Sequence, residues 1–233
     1  MADSKKPQGN RTKKENFFKI IIVGNAGVGK SCLLNRFTKN EFTNDYNATI
    51  GVEFQSQLVQ IDNDTKIKMQ IWDTCGQESF QAIVRSFYRN STAVLIVYNI
   101  ADRASFESVN LWYKEAKQNA LENSVFVLVG AQKDRENERQ VPKEEAERFM
   151  KENKFHLFFE TSSIDNLNIQ QAFQETGKLI FLNHIQKQMS KRSQATSDNS
   201  SLKDIPISEN QSTITLKAEK ASSKGKKSKG GCC

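Results

Sequence analysis

The residues best equipped for chemistry lie in one short stretch, "GNAGVGKS", Gly24 to Ser31. It matches the phosphate-binding pattern G-x-x-x-x-G-K-[ST]. It follows an apolar run, "FFKIIIV" (17–23), and precedes a helical pattern, "CLLNRF". Gly27 and Gly29 allow a turn tight enough to converge backbone N–H groups on phosphate oxygens. Gly24, Asn25, Ala26, Val28 and Cys32 complete the nucleotide-binding stretch. Lys30 reaches the β- and γ-phosphates, and the Ser31 hydroxyl ligates Mg²⁺. A helix beginning near Lys30 adds the positive end of its dipole. The motif selects a nucleoside triphosphate; it does not choose the base, or decide between an enzyme and a switch.

A second set of reactive residues lies in "IWDTCGQE", 71–78. Asp73 ends an apolar strand, where an acid can hold Mg²⁺. Gly76 can offer a backbone N–H to the γ-phosphate, and Gln77 is placed to orient an attacking water. Thr49, on the loop "YNATIGVEF" between the two segments, supplies a further hydroxyl to the metal. Lys30, Gly76 and Gln77 are thus the expected catalytic residues, and Ser31, Thr49 and Asp73 the expected metal set.

The elements that must position these groups alternate. Strand-like runs are expected at 17–23, 52–61, 66–72, 93–100, 124–130 and 156–160. "DNDT" turns the second into the third as a hairpin. Helical patterns fill about 104–120, 143–153 (Pro142 at its start) and 167–185. Strands alternating with helices predict an α/β, doubly wound, mostly parallel six-stranded sheet with one antiparallel edge strand and about five helices. Residues 1–16 read as a disordered basic extension. From 187 to 233 periodicity gives way to a Ser/Lys/Asn-rich, disordered, hypervariable tail.

A chain of 233 residues with 37% hydrophobic content suits one domain with tails. No run approaches the roughly 20 apolar residues of a membrane span. "MADSKKPQGNRTKKEN" carries no secretory signal, so a cytosolic protein is expected. The net charge of +7 is uneven: residues 1–16 carry +3 and residues 187–233 carry +6, which leaves −2 for the segment between. The globule shows no basic helix face, so nucleic acid is not an expected partner. Cys32, Cys75, Cys232 and Cys233 have neither zinc-ligand spacing nor the context of a disulfide framework.

The segments "GNAGVGKS", "TIGVEF", "KMQIWDTCGQE", "FYRNS" and "IVYNI" together resemble the Ras superfamily of P-loop NTPases, and within it the Rab family, over about residues 17 to 186. The resemblance implies a monomeric GTP-binding and GTP-hydrolysing switch in vesicle-mediated membrane trafficking. Its partners would be exchange factors, a GTPase-activating protein and effector proteins. GTP orders two loops, and hydrolysis releases them. Thr49 falls in the first loop and Gln77 in the second. Phe54, Trp72 and Phe87 match apolar positions that such proteins show to effectors; ordinary core packing is the other reading of them. Cys75 replaces an Ala, either as a tolerated substitution or as an oxidation-sensitive thiol.

The base-reading loops depart from the family pattern. Where N-K-x-D is usual, the chain has Ala131, Gln132, Lys133 and Asp134. Asp134 is in register to accept two hydrogen bonds from guanine, which adenine cannot offer. Ala131 lacks the amide that ties this loop to the P-loop, and Gln132 is shorter than the usual Lys. In "ETSSI", Ser162 and Ser163 stand for Ser-Ala and Ile164 for Lys; backbone N–H groups there remain able to reach the guanine oxygen. Phe42 holds the position of an aromatic that flanks the base. A guanine reader of kept selectivity and lowered affinity is expected.

The chain ends "KGKKSKGGCC", with five lysines and no acid from 220 to 229. Cys232 and Cys233 resemble a double-prenylation signal, which implies prenylation machinery and a membrane surface as partners. Two lipids suffice for stable anchoring where one does not. The implied location is the cytoplasmic face of an endomembrane compartment, with a cytosolic pool. Two other readings stay open: a Rab-shaped, membrane-anchored binding module of weak nucleotide affinity and little hydrolysis, and a P-loop enzyme acting on ATP or a metabolite.

Overall fold

Six runs rich in Ile, Val, Leu and Phe form one sheet in the computed structural model, which describes residues 17–43, 49, 51–76 and 81–197. The strands are β1 (Phe17–Val23), β2 (Val52–Gln60), β3 (Lys66–Thr74), β4 (Ala93–Asn99), β5 (Val125–Ala131) and β6 (Leu157–Glu160), in the order β2-β3-β1-β4-β5-β6. Only the β2–β3 pairing is antiparallel. The Asp62 carboxylate closes its turn by accepting from the Asp64 and Thr65 N–H groups. The connection from β1 runs to one side, to β2, and the connection from β3 runs to the other, to β4; at such a reversal the carboxyl ends of the strands open a crevice.

Helices cover both faces, which is why β4 and β5 are buried at every residue. On one face Ile20 and Ile22 of β1 pack with Leu33, Leu34 and Phe37 of α1 (Lys30–Lys39) and with Ile169 and Phe173 of α6 (Ile169–Ser197). On the other, Ile21 and Val23 meet the layer formed by α2 (Gln81–Tyr88), α3 (Arg103–Glu107), α4 (Val109–Asn119) and α5 (Lys143–Glu152). The period-2 alternation of a strand thus assigns successive β1 side chains to two separate cores.

Two helix boundaries differ from the sequence expectation. The pattern at 104–120 is two helices, broken at Ser108, so there are six α-helices among the described residues and not five. Asp102 caps α3 by accepting from the Ala104 and Ser105 N–H groups. Helix α6 does not stop near 185 but runs to Ser197, past the expected domain end at 186. Neither Gly nor Pro occurs between Gly177 and Ser197, and Gln, Lys, Met and Arg are good helix formers, so nothing breaks the backbone ladder when the apolar stripe ends. Contacts gather the chain up to Ser193 into one unit; nearly all of the second, Gln194–Cys233, lies outside the described residues. No helix among the described residues is long and apolar enough to cross a membrane.

Gly177 lets α6 approach β3 closely. A Cβ there would stand 2.6 Å from the Met69 Cε, 3.0 Å from an Ile61 methyl and 3.1 Å from an Ile67 methyl. The Met69 terminus can move, so Gly177→Ala sets a helix-propensity gain of about 1 kcal/mol against a similar packing loss. Its stability should match the parent's within about 1 kcal/mol. Gly177→Leu should lose about 2–3 kcal/mol, because the β-branched neighbours cannot yield to three more carbons. Urea unfolding midpoints measure both; a Leu variant as stable as the parent would place α6 away from β3.

Candidate functional site

The crevice at the carboxyl end of β1 holds the loop Gly24–Ser31. Gly24 has φ +143°, and a Cβ on it would overlap the Val97 carbonyl of β4, so only glycine fits between the two strands. Gly27 and Gly29 also have positive φ, at 76° and 102°. Gly29 is the N-cap of α1 and brings no side chain to cap the first turn, which leaves its N–H groups to serve an anion.

Lys30, the first residue of α1, is buried. Its Nζ donates to the Gly24 carbonyl at 2.9 Å and to the Asn25 carbonyl at 2.8 Å. Desolvation pushes the ammonium down to about 8, while Asp73 pulls the other way. Two of three N–H bonds are thereby used to aim the group, and the third remains for a phosphate oxygen. The Asn25 side chain braces the loop from behind. It donates to the Ser108 hydroxyl at 3.1 Å and accepts from the Trp112 indole at 2.8 Å. The break between α3 and α4 is what supplies Ser108.

Ser31, Thr49 and Asp73 come together from α1, the loop before β2, and β3. The Ser31 hydroxyl lies 2.7 Å from that of Thr49 and donates to Asp73 Oδ2. Asp73 is fully buried, and its Oδ1 has no hydrogen-bond partner among the described residues. Burial pushes its carboxyl up to about 6, against the pull of the Ser31 hydroxyl and of Lys30. A buried carboxylate with an orphaned oxygen beside two hydroxyls suits a hard cation that keeps several of its waters, and Mg²⁺ fits that description. Among the described residues no group of three His, Cys, Asp or Glu could hold a metal instead. Gly76 closes this side: a Cβ on it would overlap the Ala26 nitrogen and the Asn25 carbonyl, so its backbone lies against the phosphate loop. Gln77 lies outside the described residues. Cys75 is buried, which favours the tolerated substitution over an oxidisable thiol. Cys32 is half-buried, and desolvation pushes its thiol up, away from thiolate.

The base loops supply one correction. Ala131 ends β5 and is buried, without an amide to offer. The tie to the P-loop is nevertheless present, because Gln132 makes it. With φ 62°, Gln132 turns its side chain so that Nε2 donates to the Gly27 carbonyl at 3.1 Å, and Oε1 accepts from Arg135 at 3.0 Å. The exposed Asp134 carboxylate accepts from the buried Ser162 hydroxyl at 2.7 Å through Oδ1. That bond fixes the carboxylate plane and leaves Oδ2, with the second lone pair of Oδ1, for a base edge. Behind it, Arg139 forks onto Glu160 at 2.7 and 2.9 Å and also pairs with Glu136.

Arg36, which the sequence reading passed over, organises the second loop. Its Nε donates to the Ser163 carbonyl at 2.6 Å, and Nη2 to the Ile164 carbonyl at 3.3 Å. Its guanidinium lies 5.9 Å from the Phe42 ring, joining that ring to the same cluster. Ile164 itself is exposed. At the far side of β3, the rings of Phe54, Trp72 and Phe87 form one row, with centroids 4.9 and 5.3 Å apart. Phe54 is exposed and the other two are half-buried, so the row is surface at one end and core at the other. Lys19 caps it with Nζ 5.4 Å from the Trp72 ring. Cys232 and Cys233 lie outside the described residues.

If Gln132 carries the tie, Gln132→Ala should speed GDP release by roughly two- to tenfold, the loss of one hydrogen bond at about 0.5–1.5 kcal/mol. Stopped-flow displacement of a fluorescent GDP analogue reads this; an unchanged rate would mean that the Gly27 contact holds nothing.

A phosphate cradle, a buried carboxylate with two hydroxyls, and a carboxylate aimed at a base edge all lie at one end of one sheet. The family model described as Ras family matches residues 19–182, and the chain therefore belongs to the Ras family of small GTPases.

Proposed function

We propose that the protein is a Rab-type switch that binds GTP with Mg²⁺, hydrolyses it slowly, and regulates vesicle-mediated membrane trafficking from the cytoplasmic face of an endomembrane compartment. The observation that carries the reading is the meeting of Ser31, Thr49 and Asp73. Thr49 belongs to a loop 18 residues from Ser31, and its hydroxyl stands 2.7 Å from that of Ser31. A loop held there only while a γ-phosphate completes the site is a binary signal. When bound, Mg²⁺ would be held by Ser31, Thr49 and Asp73 and would neutralise charge on the phosphates. Lys30 and the first-turn N–H groups of α1 hold those phosphates, and Gly76 offers its N–H beside them. Gln77 orients the attacking water. Phe54, Trp72 and Phe87 form the effector surface, and exchange factors and an activating protein set the two transition rates.

Asp134, held by Ser162, supports guanine over adenine and so counts against an ATP-using enzyme. A membrane-anchored binding module of weak nucleotide affinity is the second reading, favoured by Ala131 and Ile164. The Gln132 contact weakens it, since it restores the tie to the P-loop that Ala131 does not make.

Nucleotide retained through purification should be GDP or GTP. Single-turnover hydrolysis should run on the order of 10⁻⁴ to 10⁻³ per second, as for Ras-like enzymes without an arginine finger in cis. Gln77→Leu should keep nucleotide binding and lower the rate stimulated by an activating protein; a purified chain free of nucleotide, or equal stimulated rates, would remove the reading. Replacing Cys232 and Cys233 by Ser should release the protein from membranes into the soluble fraction, and replacing one alone should do so partly. A double variant that still sediments with membranes would exclude the tail as anchor.

A further inference from the structure

A cavity of ≈ 670 Å³ lies at the other end of the sheet from the nucleotide crevice. Ser124 and Phe126 line it from the start of β5, and His156 from just before β6. Since Ala131 at the end of β5 faces the P-loop side, the two sites are separated by about the length of that strand, roughly 20 Å. The remaining walls come from the end of α4 and the loop after it, from Lys154 just after α5, and from the second half of α6.

The chemistry of the lining is consistent. Lys117, Lys154 and Lys187 all line the cavity, and none of them pairs with a described carboxylate. Lys117 rests its ammonium 5.6 Å from the Tyr113 ring. Glu122 is the one acid in the lining among the described residues, so their fixed side-chain charge there is +2. His156 Nδ1 accepts from the Phe126 N–H at 3.0 Å, which places the ring proton on Nε2 as a further donor. Three ammonium groups around one concavity focus anions into it. The floor is rigid: the Tyr113 hydroxyl donates to the Asn153 carbonyl at 2.7 Å, and its ring stacks on Phe155 at 4.6 Å. Asn123, Asn183, Gln186 and Ser190 complete the lining; the Asn183 amide donates to the Asn123 carbonyl at 3.4 Å and the Ser190 hydroxyl to the Gln186 carbonyl at 2.9 Å, which leaves their side-chain oxygens free to accept. Such groups recognise hydroxyls, and the volume falls in the range of small-ligand sites.

We propose that this cavity binds a phosphorylated polyol of the inositol phosphate class, with Lys117, Lys154 and Lys187 on its phosphates and the amides on its hydroxyls. That chemistry comes from two sources, a free inositol phosphate or a phosphoinositide headgroup in a membrane. The membrane source rests on the proposed anchoring, because one wall is the part of α6 that leads into the lysine-rich tail. The site itself does not depend on it.

The test uses the full, unlipidated, GDP-loaded chain and isothermal titration with inositol trisphosphate. The parent should bind. The triple variant Lys117→Gln, Lys154→Gln, Lys187→Gln should lose at least about tenfold in affinity, as expected for removing several charge-assisted hydrogen bonds. GDP release should stay at the parent's rate, which shows that the fold is intact. Glu122→Gln should tighten binding by about two- to threefold through loss of a repelling carboxylate. Replacing Lys224, Lys226, Lys227 and Lys229 by Gln should leave binding of the soluble probe unchanged. A parent that does not bind, a triple variant that binds as well, or inorganic phosphate binding equally tightly would each overturn the proposal. Flotation with phosphatidylcholine vesicles then separates the sources. Vesicles carrying phosphatidylinositol bisphosphate that outcompete phosphatidylserine vesicles, in a manner lost in the triple variant, support the headgroup. Equal flotation beside retained inositol trisphosphate binding supports the free polyol.

Discussion

The structure is organised around one costly carboxylate. Asp73 sits fully buried in the sheet, and an isolated charge there would carry a desolvation penalty of several kcal/mol. Burial raises its carboxyl to about 6, still low enough to be ionised at neutral pH. Its compensation comes from Ser31, which donates to one oxygen, and from the nearby Lys30 ammonium. Ser31 and Lys30 are adjacent at the start of α1, so the loop that sets the start of α1 also sets the balance of this charge. Gly24, wedged under Val97, and Gly76, laid against Asn25, are the steric terms that hold the loop where that balance closes. The unpartnered Oδ1 is what makes the arrangement a receptor for a cation and not merely a satisfied core acid.

Much of this was legible because it depends on local spacing. The Gly24–Ser31 pattern, the strand before it and the helix after it sit within one continuous stretch, and the structure assembles them as expected. Ser31, Thr49 and Asp73 are farther apart in sequence, yet each is placed by the segment around it. What could not be read was side-chain reach across sequence distance. The loss of the Asn amide at Ala131 was visible; its replacement by Gln132 was not, because a left-handed backbone at 132 re-aims that side chain toward Gly27, 105 residues away. Nothing in the sequence around Arg36 points to its partners. Only the fold brings the loop at Ser163 and Ile164 to it, 127 and 128 residues on.

Helix boundaries failed for a different reason. Periodicity marks where a helix is buried, not where its hydrogen-bond ladder ends. In α6 the buried stripe stops at about Ile180, while residues of good helical propensity continue to Ser197. At Ser108 the opposite holds: the apolar spacing runs straight across a break between α3 and α4, where the Ser108 hydroxyl donates back to the Ala104 carbonyl.

The brace at Asn25 also gives the molecule an optical property. The chain contains two tryptophans. Trp112 donates its indole proton to the Asn25 side chain of the phosphate loop, whereas the Trp72 indole nitrogen is buried with no hydrogen-bond partner among the described residues. One indole is therefore polarised by the nucleotide cradle, and the other sits between the Phe54 and Phe87 rings in an aromatic environment. Their emission spectra should differ for that reason. Tryptophan fluorescence from the unlabelled chain should therefore report on two parts of the molecule, the cradle through Trp112 and the aromatic row through Trp72.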